Sequence, residues 1–267
     1  MGRSGRAVAV VTLALLVGAC SGAASQAPGD SGTGGAGASQ SGGGGASTPA
    51  PGSSDVTADN AFGTASNNLD NLDSYKFDVE LSSSSTSAVG SEGTTSFSGT
   101  VVHKPDQEQQ LDEVEKDADG TTTDELHILI IGSNAWTKQT ASDKYVAFPD
   151  AAVTGMIAGL SAFQPEKLFG TAFGTLGSDY HLVGTDSKNG VNSQHFHGDE
   201  SIGTFFSALS GTTGTWSSDV WIATDGGYLV SSNVSASGAD ATSAGNFSID
   251  VEITNVNDPA NVLTPPS

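Results

Sequence analysis

The chain is 267 residues long, with 36% hydrophobic, 7% aromatic and 15% charged residues, 35 glycines, one cysteine and a formal net charge of −21. Thirty Asp+Glu against nine Lys+Arg would repel a phosphate backbone, so the composition excludes the basic footprint of a nucleic-acid-binding protein. A single cysteine closes no intramolecular disulfide and cannot supply a multi-cysteine zinc site or an iron–sulfur cluster.

The composition changes sharply along the chain. Arg3 and Arg6 precede an apolar run from Ala7 to Val17 that only Thr12 interrupts, and the run ends in Val17-Gly18-Ala19-Cys20. That run is shorter than the roughly 20 apolar residues a membrane-spanning helix needs. Its order of charge, apolar core and small residues is that of an export signal, expected over residues 1–19. The small residues before Cys20 resemble a bacterial lipobox, in which the cysteine is acylated and becomes the mature N-terminus. Cys20 is therefore the expected lipidation site, carrying palmitate-type acyl chains, in preference to a free buried thiol. Residues 20–54 follow as a tether: from Ser21 to Ser54 there are eleven glycines, eight serines, three prolines and one acidic residue. Such a segment buries too little apolar surface to offset an ordering cost of about 1–2 kcal/mol per residue. As a Gly/Ser coil its r.m.s. span is roughly 30 Å, suited to a domain held near a membrane or to a spacer through cell-wall material.

Residues 55–267 hold seven Lys/Arg and 29 Asp/Glu, a net −22 on one domain-sized segment. No acidic block is longer than two residues, so the acidity is expected to be a solvated surface that resists anionic headgroups. Helical spacing comes first, with Ala58, Ala61, Phe62, Ala65 and Leu69 within Asp55–Leu72 behind Asp55 or Thr57 as cap. Ser74–Ser82 then alternates strictly, placing Tyr75, Phe77, Val79 and Leu81 on one face of a strand. Further strands are predicted at Thr95–His103, Glu108–Glu115, Glu125–Ile131 and Asn134–Lys138. Glu125–Ile131 is apolar on both faces, which predicts a central strand with packing on each side. Helices are predicted at Asp150–Phe163, behind Pro149, and at Glu200–Ser210, with a weaker turn over Pro165–Phe173. Strands at Tyr180–Asp186 and Val191–Gly198 flank Lys188-Asn189-Gly190, and strands at Ser218–Ala223 and Tyr228–Ser235 flank Thr224-Asp225-Gly226-Gly227. Both connections carry the residues that tight hairpin turns demand. Asn246–Thr254 repeats the alternation with Phe247, Ile249, Val251 and Ile253, and is expected to share a core with the first strand.

These elements predict an α+β fold: a strongly curved antiparallel sheet, or half-open β-barrel, with short helices on its concave side. The segment Asp219-Val220-Trp221-Ile222-Ala223-Thr224-Asp225-Gly226-Gly227-Tyr228-Leu229-Val230 lies in the C-terminal half with the His181–His197 hairpin and the ending Ile253-Thr254-Asn255-Val256-Asn257-Asp258-Pro259. Together with Leu72-Asp73-Ser74-Tyr75-Lys76-Phe77 and Ile131-Gly132-Ser133-Asn134-Ala135-Trp136, this pattern resembles the LppX/LprG-type bacterial lipoproteins over nearly all of residues 60–266. The resemblance implies the fold shared with LolA/LolB carriers, in which a helix-lined concave face holds acyl chains. It implies lipid binding or transfer at the extracytoplasmic face of the cell membrane.

A carrier needs no catalytic group, because each buried methylene contributes about 0.8 kcal/mol. The expected lining comprises Tyr75, Phe77, Val79, Phe97, Ile128 and Ile130 on strands, with Met156, Ile157, Leu160, Phe163, Phe169, Phe173, Phe205 and Phe206 on helices. Any of them can instead be plain core. The alternative function is that of an interaction lipoprotein presenting its acidic surface to an envelope protein. No Gly-x-Ser-x-Gly turn is present, so no enzyme is expected. Neither cofactor nor metal is expected: His195 and His197 share a strand face, but Phe196 between them reads as the core residue of a solvent-facing strand. Asp117-Ala118-Asp119-Gly120 lacks the full calcium-loop pattern and reads as a turn. Trp136, Trp216 and Trp221 read as packing groups.

Overall fold

In the computed structural model, β1 (Ser74–Ser83) pairs antiparallel with β11 (Asn246–Thr254) at the middle of one sheet, with Phe77 opposite Ile253 and Val79 opposite Val251. The structure describes residues 57–84, 92–139, 142, 144–149, 164–167, 177–199, 202–203, 214–237 and 246–266. The predicted segments around Cys20, Asp150–Phe163 and most of Glu200–Ser210 lie outside these. Between the two paired strands run β2 (Gly93–Val102), β3 (Glu108–Asp117), β4 (Thr122–Ile131), β5 (Asn134–Gln139), β6 (Val146–Ala147), β7 (Tyr180–Lys188), β8 (Val191–Gly198), β9 (Thr215–Ala223) and β10 (Leu229–Ser237). Their spatial order is β6-β5-β4-β3-β2-β1-β11-β10-β9-β8-β7, a curved antiparallel sheet that does not close.

The chain thus builds two meanders and joins them where its first and last strands meet. Tight turns set the register of the meanders. Asn189 and Gly190 adopt φ of 53° and 77° between β7 and β8, and Gly226 and Gly227 adopt 82° and 60° between β9 and β10. These are the left-handed conformations that Asn-Gly and Asp-Gly-Gly supply at little cost. Asp117 Oδ1 accepts from the backbone N–H groups of Asp119 and Thr121, so Asp117–Gly120 is a turn, as its composition predicts.

One expectation needs correction. β4 is third from the β6 edge, not central. Its outward Leu129 is nevertheless buried, because its register partners are Trp136 on β5 and Gln110 on β3. Cross-strand neighbours cover an apolar outer residue without a second layer.

Helix α1 (Ala58–Asp70) starts as predicted, with Thr57 in the cap position and its carbonyl accepting from Ala61 N–H at 3.0 Å. Ala58, Ala61, Phe62, Ala65 and Leu69 are all buried in the stripe that helical spacing predicts. Phe62 meets Tyr180 and Phe196 edge-on, with centroids 5.0 and 5.4 Å away, which lays α1 on the inner, concave face. Burying a side chain of this size contributes about 1.5–3 kcal/mol. The C-terminal segment locks the start of β1: Asn257 Oδ1 accepts from the N–H groups of Asp73 and Ser74, and its own N–H donates to Ser74 O. Asn257 holds this clamp at φ 53°.

Candidate functional site

Register assigns the inner face residue by residue. Side chains directly opposite across antiparallel strands share a face, so Val251, Val79, Phe97, Glu113 and Leu126 form one row across β11, β1, β2, β3 and β4. The next row holds Ile253, Phe77, Gly99, Leu111 and Ile128. Gly99 is empty for a reason: a Cβ there would stand 2.0 Å from Gln110 O and 3.0 Å from Phe77 Cε1. The Phe77 ring occupies the space a side chain would need.

The strand residues expected to line the site therefore do come together on the inner face. Tyr75, Phe77, Val79, Ile128 and Ile130 are buried in the core, while Phe97 is half-buried. Met156, Ile157, Leu160, Phe163, Phe169, Phe173, Phe205 and Phe206 lie outside the described residues. The sequence reading missed part of the same surface. Leu81, Leu126, Trp216, Ile249 and Val251 are only partly covered, and with Phe97 they make an apolar strip beside the closed core. Alternation places Leu81, Ile249 and Val251 on this face, but periodicity carries no information about where coverage stops.

Three carboxylates share the face with this strip. Glu113 stands between Phe97 and Leu126, and Glu115 between Thr95 and Asp124. Loss of solvent raises the Glu113 carboxyl above its ordinary value, and the charges of Glu115 and Asp124 raise it further. A separate cleft of about 670 Å³ opens at the far strand ends. Ser82, Thr94, Ser217, Ser235 and Ser248 contribute hydroxyls to its wall, and Ala236 and Phe247 contribute apolar surface.

The outer face has the opposite character. Asp78, Glu80, Asp250 and Glu252 lie together on β1 and β11. Asp78 is raised by partial burial and by the neighbouring Glu80 and Glu252 charges. On β8 and β9, Asp219 Oδ1 accepts from His195 Nε2 at 2.7 Å and His197 Nδ1 at 2.9 Å. Trp221 stacks on the His195 ring with centroids 4.5 Å apart, and Phe196 between the two histidines is fully buried, as its position on the strand predicts. Trp216 packs inward against Phe247.

A buried polar node under the end of α1 escaped sequence reasoning. Tyr75 Oη donates to Glu166 Oε2, Ser66 Oγ donates to Glu166 O at 2.6 Å, and Gln164 Nε2 donates to Gln109 Oε1 at 3.2 Å. Pro165–Lys167 forms the helical turn expected there, and it is pinned to α1, β1 and β3 by these bonds. Burial raises the Glu166 carboxyl, while the bond from Tyr75 opposes that shift.

The architecture is α+β, an open, curved antiparallel sheet carrying a helix on its concave face. Among solved structures the chain is similar to the lipoprotein LppX of Mycobacterium tuberculosis, at 16% identity over 76% of this chain and 96% of that one, with a TM-score of 0.42. It is similar to LprF from Mycobacterium bovis at 17% identity, covering 79% and 97%, with a TM-score of 0.46. A LolA-superfamily protein from Nitrosomonas europaea matches at 14% identity over 79% and 98%, with a TM-score of 0.25. No protein-family model and no curated protein matches the sequence. Among the described residues no helix is long and apolar enough to cross a membrane.

Proposed function

We propose that this chain is an extracytoplasmic lipoprotein, anchored through acylated Cys20 after removal of residues 1–19, whose inner sheet face binds an acyl chain and carries it within the cell envelope. One observation carries the proposal. Leu81, Phe97, Leu126, Trp216, Ile249 and Val251 remain partly accessible together on a concave face whose reverse side is acidic. An acyl chain laid along that strip recovers the apolar burial these side chains lack, at about 25 cal/mol per Å² removed from water. Glu113, Glu115 and Asp124 on the same face disfavour an anionic head group beside them, so the cargo expected is neutral or carries hydrogen-bond donors. The Gly/Ser-rich segment up to Ser54 would give the domain reach to load and unload. No step in this function requires a catalytic group.

The test uses the full chain with Cys20→Ser, so that no covalent lipid confuses the result. Organic extracts of the purified protein are expected to contain lipid, and a neutral diacylglycerol with a fluorescent acyl chain is expected to bind. Val251→Trp, which fills the strip, should weaken probe binding about tenfold, or about 1.4 kcal/mol, while outer-face Glu252→Gln should not. Lipid-free extracts together with probe binding indifferent to Val251→Trp would overturn the proposal.

The second reading, an envelope interaction protein, draws on the outer face. Asp78, Glu80, Asp250 and Glu252 crowd like charges on adjacent strands, an arrangement suited to a basic partner surface. In that case neutralising Asp250 and Glu252 would abolish function while Val251→Trp would leave it intact.

A further inference from the structure

Asp70 at the end of α1, His103 just beyond β2 and Glu166 in the Gln164–Lys167 segment bring one donor atom each to within 4.8 Å of one another. Among the described residues no hydrogen bond or ion pair links any two of them. We propose that these three side chains bind a single divalent transition-metal ion of the zinc class.

The state of each donor supports this. Glu166 is 1% exposed, yet its Oε1 has no hydrogen-bond partner among the described residues, while its Oε2 accepts from Tyr75 Oη. A buried carboxylate oxygen left bare loses its solvation with nothing in return unless something occupies its lone pair. His103 is poised in the complementary way. Its Nδ1 lies 2.9 Å from Leu72 O, so Nδ1 carries the proton and donates to the carbonyl, which leaves Nε2 with a free lone pair. A backbone carbonyl on the far nitrogen is the usual outer support of a metal-bound imidazole, and a hydroxyl on the far carboxylate oxygen plays the same part for Glu166.

The donor set argues for the metal. One imidazole nitrogen and two carboxylate oxygens suit zinc and its neighbours better than calcium or magnesium, which take oxygen-only shells. Two carboxylates and a neutral imidazole balance a 2+ ion. Three protein donors leave a fourth position for water. Asp70 is half exposed and gives the ion an entry route, and its 3.7 Å contact to the equally exposed Lys167 is loose enough to be displaced. A bound ion would tie α1, the end of β2 and the 164–167 segment together.

The experiment titrates ZnCl2 into the chelator-stripped full-length Cys20→Ser chain by calorimetry. One zinc per chain is expected, lost in His103→Ala and in Glu166→Gln, and kept in a variant with His181, His195 and His197 all changed to Ala. A ring-nitrogen NMR spectrum of the unmutated protein supplies a readout that does not depend on a variant folding, with a zinc-induced shift expected at His103 Nε2. Absence of stoichiometric binding overturns the proposal. So does zinc that shifts His181, His195 and His197 in place of His103, or binding that both single variants retain. None of these outcomes depends on whether the inner face holds lipid.

Discussion

The two faces of the central strands carry different chemistry on one backbone. Along β1, Phe77 and Val79 point inward and are nearly inaccessible, while Lys76, Asp78 and Glu80, one residue away, are exposed. A slip of a single residue would exchange the two sets, so the register of β1 against β2 and β11 is specified by burial itself. Interactions on the inner face build a packed core and a strip that can take a ligand. Those on the outer face are charge contacts in water, individually weak and collectively a surface potential. The difference teaches where a substitution should register as stability and where it should not.

The largest contrast is expected between neighbours. Phe77→Ala removes a buried ring packed over Gly99 and should cost about 3–5 kcal/mol, whereas exposed Lys76→Ala should stay within about 0.5 kcal/mol. Urea unfolding of the two variants, with unchanged slope, measures the gap. Equal losses would mean that β1 does not separate its faces as the register indicates.

Most of this sheet was legible in the sequence, because alternation is a short-range signal. The bounds of β8 and β11 are those the pattern predicts, and the others differ by a few residues at their ends. Val146–Ala147 escaped notice because two residues carry no period. β4 was misplaced because apolar residues on both faces ordinarily mean a central strand, and here Trp136 and Gln110 supply the outer cover. The inner-face candidates on strands were legible for the same reason as the strands. Glu166 was not: a glutamate beside a proline reads as a solvated turn. Its burial depends on Tyr75 and Ser66, 91 and 100 residues away in the chain. Asn257 likewise gives no local sign that its amide will close on Asp73 and Ser74.

A smaller effect is expected where the inner face breaks its own rule. Glu113 sits among Phe97 and Leu126, and its carboxyl is raised in the folded state by lost solvent and by Glu115 and Asp124. The native chain therefore binds more protons than the unfolded chain through the window between the ordinary glutamate value and the raised one. Stability falls as pH rises through that window. Glu113→Gln removes the penalty, so the variant should be more stable than the parent at neutral pH. The advantage should vanish once pH drops below the ordinary glutamate range. Melting curves of both proteins from pH 3 to pH 8 would show it, and a variant less stable at neutral pH would place Glu113 in a compensating contact.

The smallest effect belongs to the outer face, at the best-formed of its charge contacts. Asp219 accepts from two imidazoles at once, and its side chain and that of His195 are about a quarter and a fifth exposed. Geometry this good on the inner face would be costly to break, but water and salt reach these groups. Asp219→Asn keeps an acceptor oxygen and removes the charge. It should lower stability by less than about 1 kcal/mol, and the loss should shrink further near 1 M salt, where the screening length falls to about 3 Å. A larger, salt-independent loss in the melting temperature would show that Asp219 acts as a structural hydrogen-bond anchor, and the division between a packed inner face and a screened outer one would have to stop short of β9.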